Sequence, residues 1–431
     1  MDSLSDFGCF AYYFNTLMTN TGIQPKYFAH YPLVNTALVL LAVGLFLLAS
    51  KLLLRTIDLH FSEVVGEAGR EQLLETAPEK RSCVLNLPAL LQRCLPHTWW
   101  GDTLYVVFML CIVTGLVHRL LKNGLSLYGY LWYGDEVGWG GLFVLFAVGL
   151  LVGPSLSLQT MEGVQIGCVL LSAVYLLSLR MAYSLTSQAP VNLWEVFAGL
   201  YDPCMLSTHL LIPSVLAASR APSQRHMVII AWAVALVIAI NLPLHLFIGL
   251  YGRSETIANV ANKIVKLTLI PTLFSMTHTY MVTLVDIIIA WRYGLNLVVA
   301  RRTYPLRIKA VQILLPLLTC LPITIIAYFN YNMALYIVSL PFGFDLAWGT
   351  MYLIIPFCYR WTVQQMGEEV VGRMPAWWTY SLYAAWVFAF TRTIVYYYLY
   401  RTPTDVLLSS CLSGGIFVVM AIWQTISYFL R

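Results

Sequence analysis

Apolar runs recur along this chain at close to the ~20 residues that a helix needs to cross a ~30 Å hydrocarbon core. They predict spans at 33–54, 102–121, 139–157, 164–185, 193–217, 227–250, 267–291, 310–329, 333–358, 377–400 and 406–430. That gives about eleven helices, or about ten if 193–217, interrupted by Glu195 and Asp202-Pro203, is only re-entrant. The expected fold class is all-α: a polytopic integral membrane helical bundle. A single membrane domain is expected over 33–431, after a non-cytoplasmic segment 1–32.

Loop charge orients the bundle. Sixteen loop Lys and Arg residues, among them Lys51, Arg55, Arg225, Arg360 and Arg431, fall on one side of this arrangement. Seven, among them Lys26, Arg253 and Arg401, fall on the other. The positive-inside rule then sets the N-terminus outside and the C-terminus inside. Cytoplasmic loops are expected at 55–101 and 292–309. The first should hold a surface helix capped by Ser62 and running to Leu74. Neither loop is large enough for a catalytic domain.

Composition agrees with the hydropathy pattern. The chain has 431 residues, 59% of them hydrophobic and 10% charged, with a mean hydropathy of +0.74. Soluble domains carry roughly a quarter charged residues. A net charge of +5, dispersed along the chain, gives no nucleic-acid footprint. The nine cysteines form no CxxC pair, and Cys83, Cys94 and His97 match no zinc spacing. HExxH, GxSxG and phosphate-cradling glycine loops are absent, as is the pairing of histidines that a haem would need. No cofactor or metal is expected. Partners are the lipid bilayer, a small solute or ion and, on one reading, other membrane proteins.

Candidate chemistry lies where polarity is expensive. In 267–286, Thr268, Thr272, Ser275, Thr279, Thr283 and Asp286 recur at steps of three and four, which places them on one helix face. A charge inside lipid costs at least ~2.5 kcal/mol, so each needs a partner or a role. Counting ~1.5 Å of rise per residue, Arg392 reaches the level of Asp345, and Arg180 lies between Asp202 and Glu195. These are candidate structural ion pairs, and helix–helix glue explains them as well as function does. Asp286 has no cation at its level except Arg292 at the boundary. Glu195, Asp202 and His209 are seven apart and share a face, ~10 Å from one to the next, too far for one metal ion. Asp202-Pro203 and the stretch LPFGFDLAWG around Asp345 both read as helix restarts inside the membrane, the device that builds transporter sites. A simple proline kink is the bland alternative. Gly149, Gly153, Gly163 and Gly167 offer small-xxx-small contacts. Asn241 and His245 flank Pro243 toward an outer, water-accessible helix end, and His278 stands off the hydroxyl row.

Three function classes follow. The first is a permease for a small solute or ion, with proton coupling at Asp286, a central site at Asp345 and a relay through Asp202 and His209. Thr283, Thr279 and Ser275 would line its path. The second is a non-catalytic subunit of a larger membrane complex. The third is an intramembrane lipid enzyme using His278, His245 or an acid as general base; no nucleophile–base–orienter set supports it.

Overall fold

The computed structural model describes residues 4–19, 31–75, 159–170, 223–251, 351–371 and 374–400, with single positions at 90, 94, 157, 172, 322, 325, 326, 329, 330 and 333. The helices with defined bounds are α1 (Asp6–Thr19), α2 (Pro32–Glu75), α3 (Ser223–Tyr251), α4 (Met351–Met366), α5 (Glu368–Val371) and α6 (Ala376–Tyr400). Residues 159–170 are also helical. α1 packs on α3, α3 on α2, and α4 on both α2 and α6.

Local chemistry sets the helix ends. Ser5 caps α1: its Oγ accepts from the Gly8 amide at 3.0 Å while Asp6 sits in the first turn. Ser157 does the same for the amide of Thr160 at 3.1 Å. Asn330 Oδ1 accepts from the Met333 amide at 3.0 Å, which places a helix boundary where the sequence predicts one. Pro32 opens α2, where its missing N–H is harmless. Gly367 follows α4 at φ 85°, a left-handed conformation that suits glycine, and its amide bonds to the Val363 carbonyl at 2.9 Å.

Among the described residues, two helical segments, Pro32–Leu59 and Gln224–Leu244, are long and apolar enough to cross a membrane. α3 shows which way its faces point. Val228, Trp232 and Leu236 are exposed, whereas His226 and Asn241 are buried. Apolar outside and polar inside is the reverse of a soluble helix, and it is what a lipid solvent demands. On α2 the buried set Val39, Ala42, Phe46, Ala49, Leu53 and Ile57 follows three- and four-residue steps, while Leu33, Leu40 and Leu41 face outward. Hydroxyls on this helix bond to carbonyls one turn back (Thr36 to Pro32, Ser50 to Phe46, Thr56 to Leu52), so they cost little in an apolar setting.

Three expectations need correction. α2 runs unbroken through Ser62, so that residue caps nothing. No Gly or Pro lies between Arg55 and Ser62, and extending an existing helix is easier than nucleating a new one. At 44 residues α2 is ~66 Å long, far more than a bilayer core, so its charged end projects beyond the membrane. Second, Gly163 and Gly167 are exposed, and among the described residues nothing lies within 4 Å of a Cβ placed on either. The close approach is at Gly8, where a Cβ would meet Glu162 Cδ at 2.7 Å. Third, Pro243 leaves α3 continuous, and Asn241 beside it is fully buried, not water-exposed.

Candidate functional site

α1 is only 14 residues long, too short to register as a membrane span. It is nevertheless buried on every side: all residues from Ala11 to Met18 are enclosed. A helix enclosed all round is a core helix, normally apolar throughout. This one carries Asn15 and Thr16, both at 0% exposure. Buried amides and hydroxyls must be hydrogen-bonded or cost free energy, so their partners define the site.

Asn15 Nδ2 donates to the Gln165 backbone carbonyl at 2.7 Å and to Gln165 Oε1 at 2.7 Å. One helical turn further along, Met18 Sδ accepts from Asn241 Nδ2 at 3.2 Å, and the same nitrogen donates to the Val237 carbonyl at 2.7 Å. Three segments, α1, 159–170 and α3, thus place Asn15, Thr16, Gln165 and Asn241 in one buried polar layer. Gln165 Nε2 has no partner in it. Cys168 and Ser172 continue the buried face of the Gln165 segment.

Nearer the start of α3, His226 is fully buried against the edge of the Tyr13 ring, centroids 6.3 Å apart, and neither ring nitrogen has a hydrogen-bond partner. Beyond it Arg225 pairs with Asp6, and Ser5 bonds Glu162 through both its amide, at 3.3 Å, and its hydroxyl. The contacts climb both helices together (Asp6 with Arg225, Tyr13 with His226, Met18 with Asn241), so α1 and α3 run in the same sense.

A second polar cluster lies where α2, α4 and α6 meet. Arg55 donates through Nε, at 3.1 Å, and through Nη2 to the Val371 carbonyl. Lys51 stands 5.0 Å from the centroid of the Trp378 ring. Arg360 lies over Tyr380 at 4.9 Å and Tyr383 at 5.9 Å. Tyr359, just past the expected ninth span, has its phenol pushed above the usual value by burial, against the pull of Arg55. This cluster ties α2, α4, α5 and α6 together, with cations on aromatic faces.

Asp286, Thr283, Thr279, Ser275, Asp345, Asp202, His209, Arg180, Glu195 and His278 lie outside the described residues. Arg392 falls within α6, and His245 within α3. The polar layer on α1 was missed because 1–32 was read as lying outside the membrane domain. The available signal was DFGCFAYYFNTLMT itself, an apolar stretch with adjacent Asn15 and Thr16 behind a Ser5 cap.

No family model matches the chain, and no curated protein matches it in sequence. Among solved structures it is similar to a manganese transporter of Eremococcus coleocola in complex with an aromatic bis-isothiourea compound. Identity is 13%, the TM-score is 0.51, and the match covers 98% of this chain and 94% of that one. A glutamate-to-glutamine variant of the same transporter superposes at a TM-score of 0.49 over the same shares. The likeness to the first extends over nearly both whole chains, so the fold is that of a multi-pass helical bundle integral to a membrane.

Proposed function

We propose that the chain is a permease that moves a small solute or ion across its membrane, with the layer formed by Asn15, Thr16, Gln165 and Asn241 on the path. One observation carries the reading: among the described residues the most enclosed helix, α1, is also one that turns amide and hydroxyl groups into the interior. Packing alone would fill such a helix with apolar side chains, since polar groups away from water gain nothing from burial. The fold shared with the Eremococcus manganese transporter supports a transport role.

Manganese itself is not carried over. Hard divalent cations take oxygen ligands, largely carboxylates. Among the described residues no three His, Cys, Asp or Glu are grouped to hold a metal. Among the described residues, the acids on the helices that form the layer are engaged elsewhere, Asp6 with Arg225 and Glu162 with Ser5. Asp286, Asp345, Asp202 and His209, with the Thr283, Thr279 and Ser275 row, remain proposed stations further along, and Asp286 the proposed site of proton coupling.

A permease must let water reach its interior in at least one state; a dry scaffold need not. In proteoliposomes, Thr16→Cys should react with a small charged thiol reagent added to one aqueous side, as mapped at residue 16 by mass spectrometry. A thiol there that stays unmodified from both sides would overturn the reading in favour of a structural subunit.

A further inference from the structure

We infer that the layer around Gln165 is a binding station for an uncharged polar solute that presents an oxygen acceptor, a carbonyl or a hydroxyl, and not for a bare or hydrated cation. The inference rests on the permease reading above and names the substrate class of that site. Its starting point is the orientation of two amides. Asn15 Nδ2 lies 2.7 Å from the Gln165 backbone carbonyl, an atom that can only accept, so the NH2 group of Asn15 must point there. The same nitrogen lies 2.7 Å from the end of the Gln165 side chain, which must therefore present its oxygen to it. Both amides are locked by one backbone atom. Gln165 Nε2 is left as a donor of two hydrogens with no acceptor, on a residue 2% exposed.

A buried donor without a partner is unfavourable, and native interiors almost always fill such a vacancy with an acceptor. A cation cannot be that acceptor. A hydrated cation cannot either, because metal-bound waters turn their lone pairs to the metal and their hydrogens outward, towards the hydrogens of Nε2. An anion would satisfy the donor but needs a compensating charge once desolvated. Among the described residues the nearest such cation along α1 is Arg225, already paired with Asp6, whose own position is nine residues, or ~14 Å of helix, from Asn15. An uncharged solute with a carbonyl or hydroxyl oxygen fits both conditions. Tyr12 and Met18, each three residues from Asn15 along α1, are buried large side chains of the same helix.

The test measures uptake of radiolabelled urea and acetamide, and of manganese and sodium ions, into proteoliposomes. Wild type is compared with Gln165→Met, which removes the donor, Gln165→Glu, which replaces it with an acceptor of the same shape, and Gln165→Asn, which keeps it on a shorter stem. Monodisperse elution on size exclusion certifies folding of each variant. Urea or acetamide uptake should exceed that of empty vesicles and fall about tenfold in the Met and Glu variants, with partial retention in the Asn variant. Two results overturn the inference: ion uptake that depends on Gln165 while both amides enter at the leak rate, or amide uptake indifferent to residue 165. If only water fills the station, amide uptake stays at the leak rate although Thr16→Cys is labelled; that too overturns it but leaves the permease reading standing. An unlabelled Thr16→Cys removes both.

Discussion

The two polar regions of this molecule use the same currency of buried hydrogen bonds and reach opposite ends. Where α2, α4 and α6 meet, polar groups are consumed: Arg55 spends two donors on one carbonyl, and Lys51 and Arg360 rest on rings. Among the described residues there, Trp378 Nε1 alone is left without a partner. Around α1, by contrast, Gln165 Nε2 and both nitrogens of His226 are unmatched in a fully enclosed setting. A finished network holds helices together. An unfinished one leaves buried donors and acceptors unmatched. The contrast separates anchor from site without any appeal to motif.

The sharpest way to break this contrast is to remove Asn15. Asn15→Leu strands Gln165 Oε1 in an enclosed layer, whereas the Gln165 carbonyl keeps its own helical N–H, and a buried group left unsatisfied costs ~1–3 kcal/mol. Thermal unfolding in detergent should show a clear drop in Tm, larger than that of Gln165→Met, because Asn15 makes the bonds and Gln165 Nε2 makes none. Equal effects of the two substitutions would mean that the layer is not organised around Asn15.

The anchor should respond more mildly and in a different observable. Arg55 is exposed, so Arg55→Leu loses two hydrogen bonds that water partly replaces, worth about 1 kcal/mol. Its signature is local. The short helix α5, tied to α2 by the Val371 carbonyl, should exchange amide hydrogens faster while the α1 layer keeps its protection. Arg55→Lys, with charge but no planar fork, should restore only part of the protection. Faster exchange spread evenly over α1 as well would show that the two regions are not separate units.

How far the sequence could be read follows the same division. Long apolar runs write themselves plainly in hydropathy, so the helices over 227–250 and 377–400 fall close to where α3 and α6 lie. Short enclosed helices do not. α1 is buried by its neighbours, and no neighbour is visible in one unaligned sequence. The same blindness hid Gly8, whose meaning is a glutamate 154 positions later in the chain, at Glu162. Gly163 and Gly167 have the right spacing but, among the described residues, no partner, and spacing alone does not supply one. The break expected before Ser62 was a cap signal with no helix breaker behind it.

The smallest expected effect bears on which side of the membrane α1 starts. Loop charges put Arg225 on the cytoplasmic side and the segment before residue 33 outside, yet Asp6 is ion-paired with Arg225. Both cannot stand. The pair is 38% exposed at Asp6 and 65% at Arg225, so it contributes ~0–1 kcal/mol, and Asp6→Asn should hardly move Tm. Geometry, not energy, gives it weight: an arginine reaches only a few ångströms, so the first turn of α1 shares a membrane face with the start of α3. Cysteines placed at Ser5 and at Arg225 should therefore react with a membrane-impermeant thiol reagent from the same aqueous side. Reaction from opposite sides would separate α1 from α3, and with it dissolve the enclosed layer on which the site depends.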